Sequence, residues 1–159
     1  MNKAVFLDRD GVINLERGYT HLLADFHILP DVMEALSILQ EKGFLLIIIT
    51  NQSGVAKGLY TENHISILHT HLLEEFKKNN IIISEIYYCL HHSDISNCIC
   101  RKPNSLFVEK GLARFNIDST KSFFIGDKER DVQAGEKVGV KGILIEANSS
   151  LKEVLDQIK

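Results

Sequence analysis

Two aspartates, Asp8 and Asp10, stand two positions apart directly after the apolar run Ala4–Leu7, and Gly11 follows them. Like charges held so close repel unless a cation sits between them, so the pair is costly as mere structure. Asp127 supplies a third carboxylate after another apolar run, Ser122–Ile125. Hard oxygen donors at a mostly open position suit Mg²⁺, which keeps several waters and takes a substrate phosphate as a further ligand. One aspartate in a loop is more often a turn former or a helix cap. Three, all at strand tips, are read here as chemistry.

Every cysteine of the chain falls between positions 89 and 100, as Cys89-Leu90-His91-His92 and then Cys98-Ile99-Cys100. Three thiolates and one imidazole, from Cys89, His91, Cys98 and Cys100, make a closed tetrahedral Zn²⁺ site of structural type, because no position is left for water. The plain alternative is buried reduced thiols beside an incidental histidine. Against it, the segment is polar and lacks core periodicity. It runs to Pro103 without a helix or strand, which is uncommon unless a loop is functional or tied down. Cys100 is followed at once by Arg101 and Lys102, so zinc would hold two cations over a phosphate. Pro103 biases Lys102 toward extended backbone and away from helix.

These residues need elements to carry them. Ala4–Leu7 reads as a buried strand, and Phe44–Thr50, with three consecutive isoleucines, as a strand buried on both faces of a parallel sheet. Further strands are expected at Ile86–Cys89, Ser122–Ile125 and Lys141–Ile145. Helices are expected over Asp31–Lys42 (capped by Asp31, ended by Gly43), Thr61–Lys78, about Ser105–Phe115 and near Asp131–Val138, with one more at the C-terminus. Alternation of this kind predicts an α/β fold: a three-layer, Rossmann-like parallel sheet with helices on both faces, in a single domain over 1–159. Ligands of such folds gather beyond the carboxyl ends of the strands. That edge receives Asp8-Arg9-Asp10-Gly11, Thr50-Asn51-Gln52-Ser53-Gly54, the cysteine stretch, and Gly126-Asp127-Lys128-Glu129-Arg130-Asp131.

Composition narrows the class. The 159 residues carry 18 Lys plus Arg against 21 Asp plus Glu, a net charge of −3 with no basic run, so no footprint for nucleic acid. The apolar run Phe44–Ile49 is far short of the ~20 residues that span a bilayer, and Asp8 interrupts any signal-peptide core. A protein of the cytoplasm is expected, with neither membrane nor nucleic acid as partner.

Val5-Phe6-Leu7-Asp8-Arg9-Asp10-Gly11-Val12 resembles the first motif of the haloacid-dehalogenase-like (HAD-like) phosphatases. Ile47-Ile48-Ile49-Thr50 is similar to their second motif, Lys102 to their third, and Gly126-Asp127 through Asp131 to their fourth, in the right order. The resemblance implies Asp8 as nucleophile, Asp10 as acid and base, and Mg²⁺ held by Asp8, the Asp10 backbone carbonyl and Asp127. It further implies Thr50 and Lys102 on the transferring oxygens, with Asp131 orienting Lys102 or a metal-bound water. Within that superfamily, Gly18-Tyr19-Thr20-His21, Thr50 to Gly58, Cys-x-His-His, Cys-x-Cys-Arg-Lys-Pro and Gly-Asp-Lys-x-x-Asp resemble the heptose bisphosphate phosphatase family. Membership implies substrate contacts from Glu16, Arg17, Gly18, Tyr19, Asn51, Gln52, Ser53 and Lys128, with Arg101 and Lys102 stabilising the transition state. It implies hydrolysis of the 7-phosphate of a small sugar bisphosphate on the way to nucleotide-activated heptose. Leu90 and Ser93 stand where the family usually has proline, and the loop from His92 to Cys98 is short.

Only 40 positions separate Asp10 from Thr50, and they must hold a strand and a helix. That leaves no room for a helical cap, so loops must select the substrate, and a capless domain of this size can be monomeric. The nearest rival activity is histidinol-phosphate hydrolysis by a related zinc-bearing phosphatase. A non-catalytic phosphate-binding module is the rival of another class, and the full set Asp8, Asp10, Thr50, Lys102 and Asp127 speaks against it.

Overall fold

A computed structural model describes residues 1–159. The strand β1 (Lys3–Leu7) alternates its side chains between two cores: Val5 and Leu7 enter one, Ala4 and Phe6 the other. Such double burial is met only by a central strand covered on both faces. β2 (Phe44–Asn51) pairs with it in parallel, Val5 opposite Leu46 and Leu7 opposite Ile48. β3 (Ile83–Cys89), β4 (Phe123–Gly126) and β5 (Lys141–Leu144) complete a five-stranded sheet in the order β3-β2-β1-β4-β5, parallel at every pairing.

Helices cover both faces, as the alternation predicts. On one face α1 (Val32–Glu41), α2 (Glu62–Lys78) and a 3₁₀ helix (Leu151–Gln157) bring Leu36, Leu39, Leu68, Phe76, Leu151 and Leu155 onto Val5, Leu7 and Ile48. On the other, α3 (Leu106–Arg114) and α4 (Glu129–Glu136) bring Val108 and Ala134 onto Phe6, Ile47, Ile49 and Phe124. Each fully buried Leu or Phe contributes roughly 1.5–3 kcal/mol. Gly111 lets α3 come close to the sheet: a Cβ there would lie 2.8 Å from the Phe6 ring.

Some local expectations are corrected. Asp31 does not cap α1 with its side chain; it sits in the left-handed region at φ 66°, and its carboxylate accepts from Ser150 Oγ at 3.1 Å. The C-terminal element is a 3₁₀ helix, with Leu155 and Ile158 carbonyls accepting from Lys42 Nζ. β3 starts three residues before the expected Ile86, and α4 starts at Glu129, before Asp131. No helix is long and apolar enough to cross a membrane.

Candidate active site

Parallel pairing puts the residues that follow β1, β2, β3 and β4 on one edge of the sheet, and the charged groups meet there. Lys102 Nζ donates to Asp8 Oδ1 at 2.8 Å and to the Ile49 carbonyl at 2.7 Å, and lies 2.7 Å from Asp131 Oδ1. Burial works against the lysine charge; the Asp8 and Asp131 carboxylates outweigh it and raise its pKa above the ordinary value. Burial also dominates at Asp8, pushing it up to about 7 against the pull of Lys102, with repulsion from Asp131 and Asp10 added. The carboxylate oxygens of Asp8, Asp127 and Asp131 lie within 4.8 Å of one another. Three carboxylates against the one buried ammonium leave negative charge to be neutralised, and an all-oxygen set of this size fits a hard divalent cation. Gly11 makes the cluster possible twice over. Its φ is 83°, and a Cβ would stand 2.8 Å from Asp127 Oδ2.

Asp10 points elsewhere. Its two carboxylate oxygens accept from Arg9 Nη2 (3.0 and 3.1 Å), from Asn14 Nδ2 (2.9 Å) and from Gln52 Nε2 (2.9 Å). Burial alone would raise its pKa, but the Arg9 charge and these hydrogen bonds outweigh it and hold the carboxyl below its usual range. Gln52 is itself fixed, donating to Thr50 Oγ1 at 2.9 Å and accepting from Tyr60 Oη at 2.8 Å. Asn51 clamps the cation from the backbone side. Its Oδ1 accepts from the Lys102 amide (3.1 Å) and its Nδ2 donates to the Lys102 carbonyl (3.2 Å).

The cysteine loop closes as a cluster. Cys89 Sγ lies 3.7 Å from Cys98 Sγ and 3.1 Å from Cys100 Sγ, and His91 Nδ1 lies 3.5 and 3.3 Å from Cys89 and Cys100. A tetrahedral zinc with ordinary bond lengths sets S···S near ~3.8 Å and S···N near ~3.5 Å, so the four donors fit that ion. Arg101 Nη1 donates to the His91 carbonyl at 3.2 Å, which ties the catalytic-edge cation to the loop.

Beside Asp10 opens a cavity of about 280 Å³. Glu16, Gly18, Tyr19, Asn51, Gln52, Ser53 and Arg101 line it. Arg17 and Lys128 do not: Arg17 is exposed, and Lys128 Nζ turns to Asp127 Oδ2 at 3.1 Å.

A family profile described as HAD-hydrolase-like matches residues 99–159. A D-glycero-beta-D-manno-heptose-1,7-bisphosphate 7-phosphatase of Haemophilus ducreyi is 39% identical over 145 residues, covering 87% of this chain and 80% of its own. The D-glycero-alpha-D-manno-heptose-1,7-bisphosphate 7-phosphatase of Campylobacter jejuni is 40% identical over 151 residues, covering 95% and 86%. This chain belongs to the heptose-1,7-bisphosphate 7-phosphatase family. The fold agrees. The crystal structure of D,D-heptose 1,7-bisphosphate phosphatase from B. bronchiseptica, complexed with magnesium and phosphate, superposes with a TM-score of 0.85 at 27% identity, covering 98% of this chain and 86% of that one.

In this member of the heptose-1,7-bisphosphate 7-phosphatase family, the site uses residues that motif reading passed over. Arg9 is fully buried, and its Nη1 lies 3.2 Å from Nε2 of the buried His69. Tyr60, His92 and Arg130 join the cavity wall. The one local hint at Arg9 was its place between two aspartates; nothing local pointed to His69, which lies 60 positions away.

Proposed function

We propose that this protein hydrolyses the 7-phosphate of D-glycero-D-manno-heptose 1,7-bisphosphate through an aspartyl-phosphate on Asp8, as a single capless domain acting in the cytoplasm. Membership of a family whose relatives are named for this activity, over most of the chain, carries the substrate assignment. The charge cluster around Asp8 supports the chemistry.

Mg²⁺ would be held by the Asp8 and Asp127 carboxylates and the Asp10 backbone carbonyl, and when bound it neutralises charge between the nucleophile and the dianionic phosphoryl group. An Asp8 oxygen bonds to phosphorus as the bond from phosphorus to the sugar oxygen breaks, and Asp10 gives its proton to that oxygen. The approach of a dianion raises the proton affinity of Asp10, which offsets the hold of Arg9. In the second half, Asp10 takes a proton from water, the water oxygen attacks phosphorus, and the bond to Asp8 breaks to free phosphate. The donors around Asp10 keep it ionised and so open to that proton. Lys102, Arg101 and the Thr50 hydroxyl stabilise charge on the transferring oxygens, and groups already in place for that charge need no reorganisation at the moment of reaction. Asp131 orients Lys102 through its 2.7 Å contact. Zn²⁺ would be held by Cys89, His91, Cys98 and Cys100 and would fix the backbone that presents Arg101 and Lys102. Glu16, Gly18, Tyr19, Gln52 and Ser53 shape the sugar site.

Phosphate release is measured from both anomers of the heptose bisphosphate and from histidinol phosphate, with Mg²⁺ supplied and then chelated. Magnesium-dependent release from a heptose bisphosphate, lost in Asp8→Asn, is the expected result. Faster turnover of histidinol phosphate, or full activity in Asp8→Asn, would overturn the proposal.

A further inference from the structure

We infer that His69 is a positioning residue for Asp10: its ring Nε2 fixes the Arg9 guanidinium, and the guanidinium fixes the Asp10 carboxylate. The inference rests on the proposed role of Asp10 as acid and base. His69 sits midway along α2, where Leu68 and Leu72 seat the helix on the sheet core, so its ring comes from a rigid element. The ring is buried and packs edge-on against Tyr88 of β3, with centroids 5.5 Å apart. Tyr88 in turn donates to Glu62 Oε1 at 2.9 Å, at the start of the same helix. His69 lies outside the wall of the substrate cavity, so any effect on the reaction passes through Arg9.

Arg9 is fully buried and reaches Asp10 on a long side chain with several free torsions. A guanidinium only donates, so Nη1 needs an acceptor, and His69 Nε2 at 3.2 Å is the one it has. Nη2 then faces both Asp10 oxygens, at 3.0 and 3.1 Å, and the Thr20 carbonyl at 3.4 Å. The Phe26 ring covers the guanidinium carbon at 5.7 Å. Without the histidine acceptor Nη1 is a buried donor with no partner. The cheapest relief is rotation of the fork toward Asp10 or Thr20, which displaces Nη2 from its present contacts. The neutrality of the ring matters as well. A carboxylate at position 69 would hold the guanidinium more strongly but share its charge; a neutral acceptor holds it and leaves that charge to Asp10. Proton transfer needs its donor within hydrogen-bond reach in a fixed geometry, and small misplacements cost large factors in rate.

The test uses the full-length protein. His69→Leu and His69→Phe fill the space without an acceptor, and His69→Gln offers an amide oxygen to Arg9. Two acceptor-free variants guard against a folding failure in either, and cooperative urea unfolding identifies the folded ones. On heptose 1,7-bisphosphate, kcat should fall about tenfold in both with KM changed less than about twofold, and His69→Gln should recover most of the loss. A merely structural histidine predicts equal losses on every substrate, so phenyl phosphate and p-nitrophenyl phosphate are compared. Phenoxide needs the Asp10 proton as it leaves; p-nitrophenoxide, a far weaker base, leaves without one. In the acceptor-free variants kcat/KM should drop about tenfold for phenyl phosphate and hold within about twofold for p-nitrophenyl phosphate. Asp10→Asn is the reference and should show the same split more strongly. A split in Asp10→Asn that the acceptor-free variants lack overturns the inference alone, as does His69→Gln performing no better than His69→Leu. Equal losses on the two aryl phosphates in Asp10→Asn overturn the acid role of Asp10, and this inference with it. Should the wild-type protein release nothing from the heptose bisphosphate, the substrate assignment fails while the aryl phosphates still decide the role of His69.

Discussion

Acid should weaken this fold through His69, a residue outside the lining of the substrate cavity. Its ring is buried, with Nε2 3.2 Å from Arg9 Nη1. The guanidinium can only donate, so Nε2 must be the accepting nitrogen of a neutral ring. Burial first, and the Arg9 charge second, lower its pKa from 6.5 to about 3. Because the folded pKa is depressed for a base, the unfolded chain binds the extra proton. Stability is therefore fully present above the unfolded value of 6.5 and is lost as pH falls from there toward about 3. At about pH 5 the loss amounts to ~2 kcal/mol, since the unfolded histidine is nearly all protonated and the folded one nearly all neutral. That figure hardly moves if the folded pKa is a unit higher. Urea unfolding of the wild-type protein and His69→Gln, each at about pH 7.5 and about pH 5, isolates the effect as a difference of differences. The wild type should lose ~2 kcal/mol more than the variant on acidification. A double difference below about 0.5 kcal/mol would refute the reasoning, as would a His69 ring titration near its ordinary value.

Replacing Cys98 by alanine should cost the bound zinc, read by metal analysis of the purified protein, and lower turnover strongly because Arg101 and Lys102 lose their anchor; full activity in the zinc-free variant would count against that coupling. Asn51→Ala removes both hydrogen bonds to the Lys102 backbone, so kcat should fall about tenfold with KM changed much less, whereas a purely substrate-binding role predicts the reverse. Gly111→Ala brings a Cβ to 2.8 Å from the Phe6 ring. Overpacking of 1–3 kcal/mol should then exceed the gain of about 1 kcal/mol in helix propensity, giving a lower Tm with KM unaltered.

Local chemistry made much of this protein legible. A buried strand is a run of apolar residues, and a parallel sheet sends whatever follows such runs to one edge, so Asp8, Thr50, Cys89 and Asp127 could be expected together before any coordinates. The cysteines were legible for the same reason, since their donors come from one short stretch. Groups whose partners are remote in the chain had no such local signal. Whether Arg9 is solvated or fully buried depends on α2 delivering His69 from 60 positions away. Asn51 became a clamp on Lys102 because a 51-residue detour returns the chain beside β2. Arg17 and Lys128 are polar residues in polar loops, and only packing decides which way such side chains face. Asp31 lost its expected cap to Ser150, which is 119 positions distant. Periodicity and strand-end chemistry act over a few residues and can be read along the chain, but charge pairing and cavity walls are settled by register between segments, which exists only once the sheet has formed.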